Sequence, residues 1–132
     1  MNIDSNIVIA YLAGEESVAK QLSIWKEEGR PLFLSTIAEA EVLGFPDFTS
    51  EEREHTARFM VEQFVSMACD RAIAYHAGVL RGTINIKLPD ALIAATTLLL
   101  GINYFTGQTR LLHLPLIPKV SNTECWTLSR AP

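Results

Sequence analysis

Hydrophobic positions along this chain fall into two kinds of run. In residues 15–28 and 70–81 they recur at helical spacing, as Val18, Leu22 and Trp25 in the first and Ile73, Ala77 and Leu80 in the second. Each reads as an amphipathic helix with one face toward a core, closed by Gly29 and by Gly82 respectively. Elsewhere the apolar residues form short unbroken runs: the leading residues 1–3, PLFLS at 31–35 and INYFT at 102–106. Runs of that length between turn residues read as buried strands. VSMAC at 65–69 reads as a brief connection or strand. Thr49 and Glu52 match a capping box that opens a helix to about residue 64, with Phe59, Met60 and Phe64 on its core face. Thr36 and Glu39 match a second capping box, opening a helix in TIAEAEVLGF.

The most apolar stretch is KLPDALIAATTLLLGINYFTGQTR at 87–110, where one charge, Asp90, stands between Lys87 and Arg110. Its apolar residues go nearly all round a helix, so that helix is expected to be buried. Pro89 suits the first helical position and Gly101 the left-handed residue just past the end, giving a helix over residues 89–100. The strand at 102–106 then runs into a loop at Gly107. After it, residues 111–118 are apolar and broken by prolines, and residues 119–128 offer short edge strands. Strands alternate with helices throughout. That pattern predicts a single α/β domain over residues 1–132, with a mostly parallel sheet and helices on both faces.

Composition adds bounds. At 132 residues, 48% hydrophobic and 20% charged, the chain can bury a core without staples. A net charge of −4 argues against a long electrostatic footprint on nucleic acid, yet it leaves room for a local basic rim of Arg71, Arg81, Lys87 and Arg110. The start MNIDSN has no basic segment before an apolar run, and the apolar stretch at 91–105 is interrupted and too short for a bilayer. A cytoplasmic protein without a membrane span is expected. Cys69 and Cys125 form no CxxC motif and read as reduced core cysteines, and the three histidines have no metal-cluster spacing.

Three acids carry the candidate chemistry. Asp4 follows the first strand, Glu41 lies in the helix after the second, and Asp90 sits in the first turn of the buried helix. Each has an ordinary reading: Asp4 or Asn6 as a helix cap, Glu41 as a half-exposed helix residue, Asp90 as an acid favoured by the helix dipole. Glu39 is accounted for by the expected cap, which leaves Glu41 as the unexplained charge of its helix. In a parallel sheet, strand-to-helix corners share the carboxyl edge, so the three can meet in one cleft. Converging carboxylates repel unless a cation joins them, and oxygen donors without thiolate or clustered imidazole select Mg²⁺ or Mn²⁺. Such an ion serves phosphodiester hydrolysis.

Asp4-Ser5-Asn6-Ile7-Val8-Ile9, residues 35–44 with Glu41 before Val-Leu, LPDALIAAT at 88–96 and the strand ending in Thr106 together resemble the PIN domain family, and within it the VapC-type ribonuclease toxins of toxin–antitoxin pairs. The segments stand in family order over nearly the whole chain. The resemblance implies a PIN-like three-layer sandwich and a Mg²⁺- or Mn²⁺-dependent endoribonuclease with Asp4, Glu41 and Asp90 as ligands. It also implies Asn6 and Thr106 as supporting residues, an RNA substrate, a cognate antitoxin and a homodimer. The chain departs from the pattern at Gln108 and Leu111, where the family usually carries further acids or an Asn. Three carboxylates hold a second metal poorly, which favours single-metal chemistry. Gln108 can still offer a neutral oxygen. Arg110 and Lys87 are candidate RNA contacts, with a solvated loop charge as the plainer reading of Arg110. Two alternatives stand beside the nuclease: a PIN-fold binding protein with a weakened site, and a phosphoacceptor receiver domain, which would want an acidic pair after the first strand that this chain lacks. Exposed apolar residues of the helix ending near residue 64 are candidates for contact with an antitoxin or a second copy.

Overall fold

The short apolar runs form strands, and the strands are brief. The computed structural model describes residues 1–101 and 104–105, and in it β1 (Asn2–Ile3), β2 (Phe33–Ser35), β3 (Val65–Met67) and β4 (Tyr104–Phe105) make one sheet in the order β3-β2-β1-β4. All three pairings are parallel, with Ile3 opposite both Leu34 and Phe105. Each crossover carries two helices. They are α1 (Ser5–Leu12) and α2 (Glu16–Glu27), then α3 (Thr36–Leu43) and α4 (Ser50–Gln63), then α5 (Arg71–Thr83) and α6 (Leu88–Leu100). The chain steps outward from β1 to β3 and then returns to β4 on the far side of β1. Right-handed crossovers made in opposite directions place their helices on opposite faces, giving the expected three layers.

Ile3 and Leu34 of the two central strands are fully buried, between Ile7, Val8, Val18, Ala38 and Val42 on the helices of the first two crossovers and Ile73, Ala77, Leu80, Ala91, Ile93 and Ala94 on those of the third. Helix α6 is the buried helix the sequence predicts. Pro89 lies in its first turn, and Gly101 ends it at φ 60°, where a side chain would be strained. Among the described residues no single helix is long and apolar enough to cross a membrane.

Local expectations fared unevenly. The Thr49–Glu52 capping box is present in both directions, with Glu52 N–H donating to Thr49 Oγ1 at 3.1 Å and Thr49 N–H to Glu52 Oε2 at 2.8 Å. Thr49→Ala is expected to lower stability by about 1 kcal/mol in denaturant titration while leaving the carboxylates untouched. The Thr36–Glu39 box does not form. Ser35 is the N-cap of α3, its Oγ accepting from Ile37 N–H, while Thr36 Oγ1 accepts from Cys69 N–H and Glu39 Oε1 from the Ser66 hydroxyl of β3. Gly82 does not end α5 either. The helix runs on to Thr83, because Ile84 N–H still reaches Leu80 O at 2.9 Å, and a glycine inside a helix costs only about 1 kcal/mol against alanine. On α4, Phe59 stacks on Tyr11 of α1 and meets Phe64 edge-on, so its aromatic residues serve the interior, whereas Val61 is 81% exposed. Cys69 is half-buried and is a free cysteine; Cys125 and the segments 111–118 and 119–128 lie outside the described residues.

Candidate active site

Parallel strands and their returning helices bring the ends of β1 and β2 and the start of α6 to the carboxyl edge of the sheet. The strand order reverses beside β1, and such a switch point is where open α/β sheets form a crevice. Asp4, Glu41 and Asp90 all belong to this edge.

Asp4 occupies the N-cap position of α1, but its side chain makes no capping hydrogen bond. Asp70 shows the contrast. It holds the same position on α5, exposed, and its Oδ1 accepts from Ile73 N–H at 2.9 Å. Asp4 is instead 1% exposed, with Ser5 Oγ 3.4 Å from its Oδ1 and Asn6 Nδ2 3.5 Å from its Oδ2. The capping reading of Asp4 therefore fails, and a carboxylate is kept inside the fold without serving the helix behind it. Burying a carboxylate is costly, so the contacts of Asp4 are not incidental.

Ser5 is the residue that sequence reasoning passed over. Its hydroxyl donates to Glu41 Oε2 at 2.6 Å, across 36 residues of chain, and lies at the longer distance from Asp4. One hydroxyl proton serves one short bond, so Ser5 is bound to Glu41 and sits beside Asp4. The signal was its place between Asp4 and Asn6, on the first residue of a helix.

Glu41 is exposed as a residue, yet its carboxyl group is pushed above the usual glutamate range. Partial desolvation is the main cause; the Ser5 hydrogen bond opposes it, and the charges of Asp4 and Asp90 add to the rise. Glu41 thus feels the charges of both other acids. The Asp90 carboxyl is also raised, by desolvation, with the Lys87 ammonium pulling it back. Lys87 is exposed at the N-cap of α6 and so stands at the rim of the same cleft.

Oxygen donors that repel one another are the chemical setting a hard divalent cation relieves, so this set fits Mg²⁺ or Mn²⁺ in kind. Among the described residues no three His, Cys, Asp or Glu side chains close into a ready-made metal cage. Glu41 is drawn toward Asp4 through Ser5, and the influence of Asp90 on Glu41 is Coulombic. Thr106, Gln108 and Arg110 lie outside the described residues.

An apolar cleft of about 190 Å³ is lined by Ile9, Leu12, Ala13, Val42, Phe45 and Phe48, from helices α1 and α3 and the segments that follow them. Phe45 and Phe48 meet edge-on at 5.4 Å, and Phe45 is 42% exposed.

Comparison with known proteins bears on the family and the fold. The PIN domain family matches residues 1–115 of the chain. Comparison with curated proteins gives no match. Among solved structures, a toxin–antitoxin complex from Klebsiella pneumoniae contains a chain that superposes with a TM-score of 0.72 at 26% identity, over 87% of this chain and 92% of that one. VapBC2 from Rickettsia felis, bound to a DNA fragment from its promoter, superposes with a TM-score of 0.74 over 88% of this chain and 93% of that one, and at 17% identity it speaks for the fold alone. With most of its length matched by the family and its three layers shared with these structures, the chain belongs to the PIN domain family.

Proposed function

We propose that this PIN domain is the toxin of a type II toxin–antitoxin pair, a Mg²⁺- or Mn²⁺-dependent endoribonuclease of the VapC kind. PIN domains are generally nucleases, and the Klebsiella pneumoniae neighbour is a toxin–antitoxin complex. The observation that carries the proposal is Glu41: bonded to Ser5, and raised in pKa by desolvation, to which the charges of both Asp4 and Asp90 add.

Asp4, Glu41 and Asp90 are the residues that would hold the ion. When bound, it lowers the pKa of a coordinated water and offsets charge on the scissile phosphate. Ser5 orients Glu41 by its 2.6 Å hydrogen bond. A carboxylate of this set would take the proton from the attacking water. Lys87 at the rim offers a cation to the RNA backbone, which positions a strand without reading its sequence. Asn6 donates to Asp4, and Thr106, Gln108 and Arg110 are proposed to complete the site.

A second reading is a PIN-fold binding protein with weakened chemistry. It is favoured by the absence of a closed three-acid cage among the described residues and by Gln108 where the family pattern has an acid. In either reading the partner is an antitoxin whose apolar segment seats in the cleft of Ile9, Leu12, Phe45 and Phe48. Tyr75 and Val79, exposed one turn apart on α5, suit contact with a second copy of the chain.

Calorimetric titration of Mn²⁺ into the purified protein, with cleavage of a structured RNA measured on the same sample, separates the two. Saturable binding with metal-dependent cleavage supports the nuclease. A flat titration without cleavage would leave the binding protein.

A further inference from the structure

Asn2 is a fully buried polar side chain in the middle of the sheet, and the chemistry at the cleft makes no use of it. Its Nδ2 donates to Thr97 Oγ1 of α6 at 2.7 Å, joining residues 95 apart, and lies 3.5 Å from Ile93 O. Thr97 is also fully buried and donates its own hydroxyl proton to Ile93 O at 3.1 Å. The amide orientation follows from this. Thr97 has spent its proton and can only accept, and turning the amide over would set Asn2 Oδ1 against the Ile93 carbonyl. Asn2 Oδ1 is left buried with no hydrogen-bond partner among the described residues. Such a group costs stability, and two apolar side chains of similar volume would pack there without that cost.

The position of the pair relative to the acids gives it a purpose. Asn2 and Asp4 are two residues apart on extended backbone, so they share a face of the strand. Asp90 and Thr97 are seven residues apart in α6, about two turns, so they share a face of the helix. Because α6 returns the chain to β4, which is parallel to β1, its first turn lies at the edge where Asp4 follows β1. Asn2–Thr97 is therefore the buried rung, and Asp4 with Asp90 the rung at the cleft, of one strand-to-helix contact. Around these rungs Ile93, Ala94 and Ala95 of α6 are fully buried and apolar, and an apolar surface tolerates sliding and rotation. A single buried polar pair does not, which is how a lone buried Asn sets register between coiled-coil helices.

We propose that Asn2 and Thr97 are positioning residues for the metal site, setting the register of α6 against β1 so that Asp90 faces Asp4. The inference rests on the function proposed above for the three acids.

The test replaces the pair by apolar residues of similar total volume, Asn2→Leu with Thr97→Ala, and uses Thr97→Ser, which keeps the hydroxyl, as the conservative variant. The double variant is expected to keep or raise its Tm, because the unpaired carbonyl is gone. It is also expected to bind Mn²⁺ about 10- to 100-fold more weakly, the usual loss when a residue that orients a ligand is removed. The kcat for RNA cleavage should fall with it while KM for RNA holds, and Thr97→Ser should match wild type. A readout independent of metal is the backbone amide resonance of Asp90, expected to move in the double variant and to stay in Thr97→Ser. Wild-type Mn²⁺ affinity and an unmoved Asp90 resonance in the double variant would overturn the proposal, as would a Thr97→Ser variant as impaired as the double one. If the double variant does not fold, the isosteric Thr97→Val is judged by the same measurements. If wild type itself binds no Mn²⁺, the nuclease reading falls, and the Asp90 resonance alone decides whether the pair sets the helix.

Discussion

Asp90→Asn is expected to abolish RNA cleavage and to leave the protein at least as stable as wild type at neutral pH. The two effects share one cause. Burial raises the Asp90 carboxyl above the ordinary aspartate value of 3.8, so the fold holds the neutral acid better than the anion. The sign follows by linkage: the folded state binds the proton more tightly than the unfolded chain, so ionisation costs stability. That cost is absent below the unfolded value, grows as pH rises through the window up to the raised folded value, and is complete at neutral pH. Asparagine removes the charge and with it the cost. The Tm advantage of the variant should therefore be largest near neutrality and shrink as pH falls through that window; a variant less stable than wild type at pH 7 would refute the account. In the role of metal ligand proposed above, Asp90 should cost more when replaced than the roughly 100-fold typical of residues that only orient ligands. Retained cleavage would remove Asp90 from the site. Lys87 tempers the effect, since its ammonium partly offsets the desolvation of Asp90.

The second large effect is expected at the apolar cleft. Phe45→Asp should leave metal binding and RNA cleavage intact while the cognate antitoxin no longer neutralises the protein. Phe45 is 42% exposed, rests against Phe48, and lines the apolar cleft, whose lining includes none of the three acids. Truncating a buried aromatic anchor at an interface commonly costs 2 kcal/mol or more, about 30-fold in affinity, and an aspartate there adds the cost of desolvating a charge. Co-expression with the antitoxin reads the result directly: growth arrest restored by Phe45→Asp in the presence of antitoxin is the expected outcome, and continued neutralisation would move the docking surface elsewhere.

Much of the fold was legible because it depends on neighbours along the chain. Pro89 and Gly101 bound α6 by their own dihedral preferences, the 3.6-residue recurrence of Val18, Leu22 and Trp25 exposed α2, and the alternation of short apolar runs with helices implied a parallel sheet. The Thr49–Glu52 box also forms as read, since both partners lie in one turn. By itself the sequence located the described elements to within a few residues, and placed Asp4, Glu41 and Asp90 near strand-to-helix corners from which they can meet at one edge.

Only the tertiary structure decided what the side chains do there. Thr36 and Glu39 had the spacing of a cap, but Cys69 N–H and the Ser66 hydroxyl took their oxygens from across the sheet, and Ser35 capped the helix instead. Ser5 holds Glu41 over 36 residues, and Asn2 holds Thr97 over 95. The physical reason is the same in each case. A polar side chain has several partners within reach of its own turn, nearly equal in energy, and the choice among them is made by which partner the packing of strands and helices brings within hydrogen-bonding distance.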